Sequence, residues 1–174
     1  GDSAEGSTSF VGVVRFAFVD RPALRGMLLF SGIMGSSTLT VVWFVQPWLR
    51  EAGLPLSLFG VAWAGFNVTV GVAALSSDTF GERLGERRAY PLLLLGVTVA
   101  YLGMALDAAL ALLPLLFLFY VVRGLGRPLF VDAINRLTPS DRRAMVLSIG
   151  PLVTRLLFTL GGPPIGWLSD AYGL

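Results

Sequence analysis

The sequence predicts an all-α bundle of helices that crosses a lipid bilayer several times. Of the 174 residues, 55% are apolar and 14% are charged, whereas soluble domains carry about 25% charged residues. Three stretches contain no charge over the roughly 20 residues that a helix needs to cross about 30 Å of hydrocarbon: 27–46, 58–77 and 89–106. A soluble helix of this length would need a polar face, and these stretches have none.

Five membrane-spanning helices are expected, at about 26–48, 58–77, 89–107, 109–134 and 144–168. Residues 1–25 precede them as a linker. Within this linker, FVGVVRFAFVDRP (10–22) is either a short interfacial helix or the end of a preceding span. The polar start of the chain lacks the basic segment and short apolar stretch of a signal peptide.

The distribution of arginine predicts the orientation of these spans. Nine arginines fall in the linker and in two alternate connections between spans: Arg15, Arg21, Arg25, Arg83, Arg87, Arg88, Arg136, Arg142 and Arg143. Arg50 alone lies on the opposite side. Because basic connections are retained in the cytoplasm, we expect the N-terminus and both arginine-rich connections to be cytoplasmic.

Three further arginines fall inside the predicted spans. Arg123 precedes the end of the fourth span by about 12 residues, or about 18 Å at the helical rise, which is close to the bilayer centre. Arg155 reaches a similar depth in the fifth span. An arginine at this depth costs at least about 2.5–3.5 kcal/mol. Each is therefore expected to line a cavity that attracts an anion or a coupling carboxylate, or to lock helices together in a permanent ion pair or carbonyl clamp.

Other polar residues in the spans have two interpretations each. Arg127, one turn from Arg123 on the same face, is expected to snorkel or to pair with Asp132 or a loop acid. A local pair between Asp132 and Arg136 is expected near the interface. Thr38 in the first span and Asn67 in the second either contact a substrate or bond neighbouring helices.

Several classes of function are excluded by composition. The chain has no cysteine and no histidine, so disulfides, thiolate or imidazole metal sites and catalysis by either side chain are excluded. The net charge of +2 is too small for a nucleic-acid-binding patch. Neither a P-loop nor a dinucleotide-binding motif is present. We therefore expect no enzyme activity, no cofactor and no metal site.

The connections carry a resemblance to a known family. ERLGERR (82–88) follows the second span, INRLTPSDRRAMVLS (134–148) bridges the fourth and fifth, and GGPPIGWLSDAYGL (161–174) ends the fifth. In this order and spacing they resemble the C-terminal half of a bacterial major facilitator superfamily transporter, over residues 20–174 or spans seven to eleven of twelve. The residues that resemble the cytoplasmic loop signature of that family are Glu82, Arg83, Gly85, Arg87 and Arg88. Asp78 stands where the signature has its first glycine, and Glu82 stands where it has an aspartate.

The resemblance implies a function, a location and partners. It implies one half of a twelve-helix transporter that moves a small-molecule substrate by alternating access, with or without proton coupling, in the bacterial inner membrane. The partner would be an N-terminal six-helix half, which is missing from this C-terminal-half fragment, and residues 1–25 would be the end of the loop between halves. The alternative is a non-transporting membrane receptor or assembly scaffold built on the same half-bundle. By the same resemblance, RGLG (123–126) is similar to the arginine-glycine signature of span four.

Overall fold

The computed structural model describes residues 9–106 and 108–172, and this part of the chain folds into seven α-helices. They are α1 (Phe10–Arg15), α2 (Pro22–Glu51), α3 (Phe59–Leu75), α4 (Ser77–Leu84), α5 (Glu86–Leu106), α6 (Leu113–Leu137) and α7 (Arg143–Tyr172). Short 3₁₀ turns, Leu56–Leu58 and Leu110–Leu112, lead into α3 and α6. Asp107, which was expected to end the third span, and residues 1–8 of the linker lie outside the described residues.

Five of these helices are long and apolar enough to cross a membrane. Their candidate spans are Pro22–Glu51, Leu56–Leu75, Glu86–Leu106, Leu110–Leu137 and Arg143–Leu168. The number and length of these apolar helices therefore confirm the prediction of an all-α, multi-pass membrane bundle. Each of these helices occupies one of the five regions in which the sequence predicted a span.

Part of the segment expected to be a linker is helical and packs against the bundle. Ser9 is the N-cap of helix α1, and its hydroxyl accepts from the amide of Gly12 at 3.1 Å. The helix continues as a π-helical turn, Phe16–Asp20. The ring of Phe16 lies between two guanidinium groups, with Arg142 at 4.8 Å and Arg21 at 5.5 Å from its centroid. The Arg142 contact joins the N-terminal helical segment to the residue that precedes α7.

The arginine-rich connection after α3 is also helical. Helix α4 packs against α6, where Gly81 faces the side chain of Leu129. The helix ends at Gly85, whose φ of +69° is a conformation that other residues adopt with strain. This glycine allows α5 to start in a new direction one residue later.

Helix α6 is the centre of the bundle, in contact with α2, α3, α4, α5 and α7. It crosses α3 so closely at Gly124 that an added Cβ would lie 2.5 Å from the carbonyl oxygen of Val70. On the same interface, the rings of Phe66 and Tyr120 stack at 4.5 Å. On the α5 side, the ring of Tyr101 meets that of Phe119 edge to face at 4.7 Å.

Helix α2 packs tightly against α7 through small residues. An added Cβ would lie 2.5 Å from the side chain of Val153 at Gly32, and 2.8 Å from the hydroxyl of Thr154 at Gly35. Such small residues let membrane helices approach one another closely. The α2–α7 crossing and the α3–α6 crossing together determine which side chains of α2, α6 and α7 converge.

The outer surfaces of α3 and α7 are apolar and largely exposed. Only 11% of the most apolar window of α3 and 17% of that of α7 are buried within the bundle. Large side chains cover these surfaces, including Val61, Val68, Val72, Leu152, Leu156 and Leu160. Apolar surface of this extent is stable against lipid or another apolar surface, which agrees with a membrane location.

Candidate functional site

A cavity of about 460 Å³ lies between α2, α6 and α7 and contains most of the residues singled out in the sequence. Arg123 and Arg127 reach it from α6, Arg155 from α7 and Thr38 from α2. All three arginines are exposed, so the cavity opens onto the surface of the described bundle. The α2–α7 crossing brings the two walls together, because Gly35 and Thr154 both meet there and line the cavity.

The three arginines lie near the middle of their helices. Arg123 and Arg127 lie two residues on either side of Leu125, the central residue of α6. Arg155 lies halfway along the candidate span Arg143–Leu168. All three guanidinium groups therefore start from backbone near the middle of a candidate membrane span.

None of these three arginines has an ion pair or hydrogen bond with any described residue. At about 2.5–3.5 kcal/mol for each arginine, lipid exposure of all three would cost on the order of 10 kcal/mol. That cost is comparable with the whole unfolding free energy of an ordinary domain, about 5–15 kcal/mol. The three charges therefore require water, an anion or another polar surface in front of them.

The hydroxyl groups around the cavity bond to their own helices. Thr38 donates to the carbonyl of Gly35 at 3.1 Å, and Ser31 donates to that of Leu28 at 3.0 Å. Thr154 similarly donates to a carbonyl of α7 at 3.2 Å. Because these protons are engaged, the arginines are the hydrogen-bond donors available to a ligand in this cavity.

Asn67 lies elsewhere in the bundle. Its amide donates to the carbonyl of Trp63 at 2.9 Å, one turn earlier in α3, and its side chain is exposed outside the cavity. The sequence was correct that Asn67 lies within a span. A substrate contact by Asn67 stays a prediction that would require a surface beyond the described residues.

A second cavity, of about 450 Å³, lies between α2, α5 and α6, at the start of α2 and α5 and the end of α6. Arg136 lines it and pairs with both Asp132 and Glu86. The Asp132 pair was expected from sequence spacing, whereas the Glu86 pair links α5 to α6 across 50 positions of the chain. These ion pairs connect α5 to α6 near the ends of the two helices. Asp132, which was considered as a partner for Arg127, is paired with Arg136 instead.

The residues that resemble the family's loop signature surround the α4–α5 junction. Glu82 and Arg83 are exposed on α4, and Arg87 and Arg88 are exposed in the first turn of α5. Gly85 lies between the two helices in its positive-φ conformation. These side chains are far along the chain from the mid-span arginines and do not line the cavity that contains them.

Arg127 was interpreted mainly as a structural residue, yet it lines the same cavity as Arg123 and Arg155. The signal was present in the sequence, since two residues four apart share one helix face. The sequence did not indicate that Arg155 lines the same cavity, because this depends on how α6 and α7 are rotated about their axes.

Comparisons with family models, with curated proteins and with solved structures give no match to this chain.

Proposed function

We propose that this chain is one half of a secondary active transporter, which moves a small solute across the membrane by alternating access. The resemblance to the major facilitator superfamily motivates this proposal. In such transporters the substrate site lies near the bilayer midplane, between two structural repeats. The missing partner would be an N-terminal six-helix half that closes the open side of the cavity.

The observation that carries the proposal is the group of three unpaired arginines around one mid-membrane cavity. Ionisable residues at this depth face a bundle interior or a water-filled pathway, because lipid exposure is too costly. A purely structural role would supply ion-pair partners, and Arg123, Arg127 and Arg155 have none among residues 9–106 and 108–172. A solvated pathway between two halves would supply the water that they need.

The proposed location is the bacterial inner membrane, with the N-terminus in the cytoplasm. Nine arginines in the linker and alternate connections, against Arg50 on the other side, support this orientation. Helix α4 and the start of α5 would then form the cytoplasmic surface that corresponds to the family's loop signature. The arginines of that surface would be free to contact the other half or the lipid headgroups.

Proton coupling would require a carboxylate in the pathway. No acidic side chain lines the arginine cavity in the described structure, and Asp78 and Asp132 lie near the cytoplasmic ends of their helices. In a proton-coupled mechanism, the titrating acid would therefore come from the other half.

The test is a transport assay on the full polypeptide, including any upstream half. The protein is reconstituted in proteoliposomes and its uptake of a panel of solutes is measured with and without a pH gradient. We expect uptake that falls at least tenfold in Arg123→Ala, while membrane insertion is retained. The exposed Arg50→Ala variant removes the same charge outside the cavity and serves as the matched control.

Two results would contradict transport. One is the absence of uptake for every solute in a preparation that is inserted and folded. The other is an upstream coding sequence that encodes a soluble signalling domain in place of six further spans, which would favour the receptor or scaffold.

A further inference from the structure

We propose that the cavity between α2, α6 and α7 binds an amphipathic organic anion with one or two carboxylate or phosphate groups. This inference rests on the proposed transport function, because the bound anion would be the transported substrate. It goes further by assigning the chemical class of that substrate from the cavity itself.

The charge of the cavity is strongly one-sided. Arg123, Arg127 and Arg155 contribute three positive charges, and the described lining includes no aspartate or glutamate. A cationic solute would be repelled by all three guanidinium groups. A neutral solute would displace water from the guanidinium groups without neutralising them, and desolvation of an unpaired charge is costly. An anion removes both penalties.

The placement of the arginines suits a carboxylate or a phosphate. Arg123 and Arg127 are one helical turn apart on one face, or about 6 Å along the axis of α6. Arg155 lines the same cavity from α7. A guanidinium group binds a carboxylate or phosphate with two parallel hydrogen bonds. Two anionic groups can therefore be held one turn apart, or one group can be held between the two helices.

The remainder of the cavity favours an apolar body on that anion. Its volume of about 460 Å³ is in the range of sites for small organic molecules. The apolar part of the lining includes Met34, Leu39, Val122, Phe130, Ile134 and Leu147. The hydroxyl protons of Ser31, Thr38 and Thr154 are engaged with helix carbonyls. A strongly hydrated polyol would therefore find few donors and much apolar surface.

An anionic lipid headgroup has the same chemistry as a soluble organic anion. The test separates these two sources by the composition of the membrane. The full polypeptide is placed in nanodiscs of phosphatidylcholine alone, and binding of a radiolabelled naphthalene dicarboxylate is measured at equilibrium. The neutral naphthalene dicarboxamide, which has nearly the same shape, is the matched probe.

We expect the dicarboxylate to bind at least tenfold more tightly than the dicarboxamide. Arg123→Gln and Arg155→Gln should each weaken dicarboxylate binding at least tenfold, while Arg50→Gln leaves it unchanged. Equal binding of the two probes, or dicarboxylate binding by the cavity variants at the wild-type level, would overturn the proposal. If a glutamine variant does not fold, Arg123→Lys and competition by inorganic phosphate on the wild-type protein provide the same test.

A second set of nanodiscs contains phosphatidylglycerol. Loss of dicarboxylate binding in these discs, with the same dependence on Arg123, would assign the cavity to a lipid headgroup and overturn a soluble substrate. Failure of the two proposals is also distinguishable. Anion binding without uptake in proteoliposomes contradicts transport alone, whereas uptake of neutral solutes without anion binding contradicts the anion site alone.

Discussion

Adding one methyl group at Gly124 tests the close crossing of α3 and α6. A Cβ at this position would lie 2.5 Å from the carbonyl oxygen of Val70 and 2.6 Å from the Cβ of Ala73. Non-bonded heavy atoms prefer separations of about 3.5–4.0 Å, so the helices must move apart by roughly 1 Å. The oxygen belongs to the backbone and cannot rotate away, so the strain must be relieved by displacement of a whole helix.

The net effect of Gly124→Ala follows from two opposing contributions. Overpacking in a well-packed interior costs about 1–3 kcal/mol, and rigid backbone contacts place this substitution in the upper part of that range. Replacing glycine by alanine within a helix returns about 0.5–1 kcal/mol. We therefore expect Gly124→Ala to lower the free energy of unfolding by about 1–2.5 kcal/mol.

The matched control is Gly71→Ala on α3. This glycine is also helical, but an added Cβ there would meet no atom within 4 Å. Only the helix-propensity contribution applies, so we expect no loss of stability and a gain of at most about 1 kcal/mol. Unfolding of both variants in mixed micelles with increasing dodecyl sulfate, followed by tryptophan fluorescence, measures the difference. Equal stability of Gly124→Ala and Gly71→Ala would refute the close crossing and the bundle geometry built on it.

Three further predictions concern bonds between helices and the orientation of the chain. The hydroxyl of Tyr101 donates to the carbonyl of Ser37 at 2.7 Å. Tyr101→Phe should therefore lower the free energy of unfolding by about 0.6 kcal/mol, and by at most about 1.7 kcal/mol, in the same assay. An unchanged free energy of unfolding would exclude this hydrogen bond. Arg136→Gln removes both ion pairs of a half-exposed side chain, with Glu86 and Asp132. We expect the free energy of unfolding to fall by less than about 1 kcal/mol, and by less still in high salt. A larger decrease that does not depend on salt would indicate a buried network instead. Because the chain has no cysteine, Glu82→Cys and Glu51→Cys each introduce a single thiol. An impermeant maleimide should label the former only from the cytoplasmic side and the latter only from outside, and the reverse pattern would overturn the assigned orientation.

Local sequence patterns predicted the membrane-spanning helices correctly, but they predicted the structure of the connections less well. The apolar stretches of the sequence indicated five spans, and five suitable helices occupy those regions. The segment 78–88 was treated as a connection, whereas α4 forms within it because Phe80, Gly81 and Leu84 are partly covered by the bundle. Gly60 and Ala64, four residues apart in α3, form a pattern of small residues that is typical of packed membrane helices, yet both are exposed in the described structure. Other small residues make the close contacts between helices. The spacing of small residues along a single helix does not show which of them will face a neighbouring helix.

The sequence by itself determined that this chain spans a membrane, because the length of an uncharged helix and the thickness of hydrocarbon are local quantities. It also predicted that Arg123 and Arg155 lie near the middle of their spans, since depth follows from position along a helix. Only the tertiary structure decided that Arg127 shares their cavity, that Asn67 does not, and that Arg136 reaches Glu86 on another helix. These outcomes depend on the rotation and crossing of packed helices. Both are set by long-range contacts such as those of Gly35 and Gly124, which spacing along one chain does not encode.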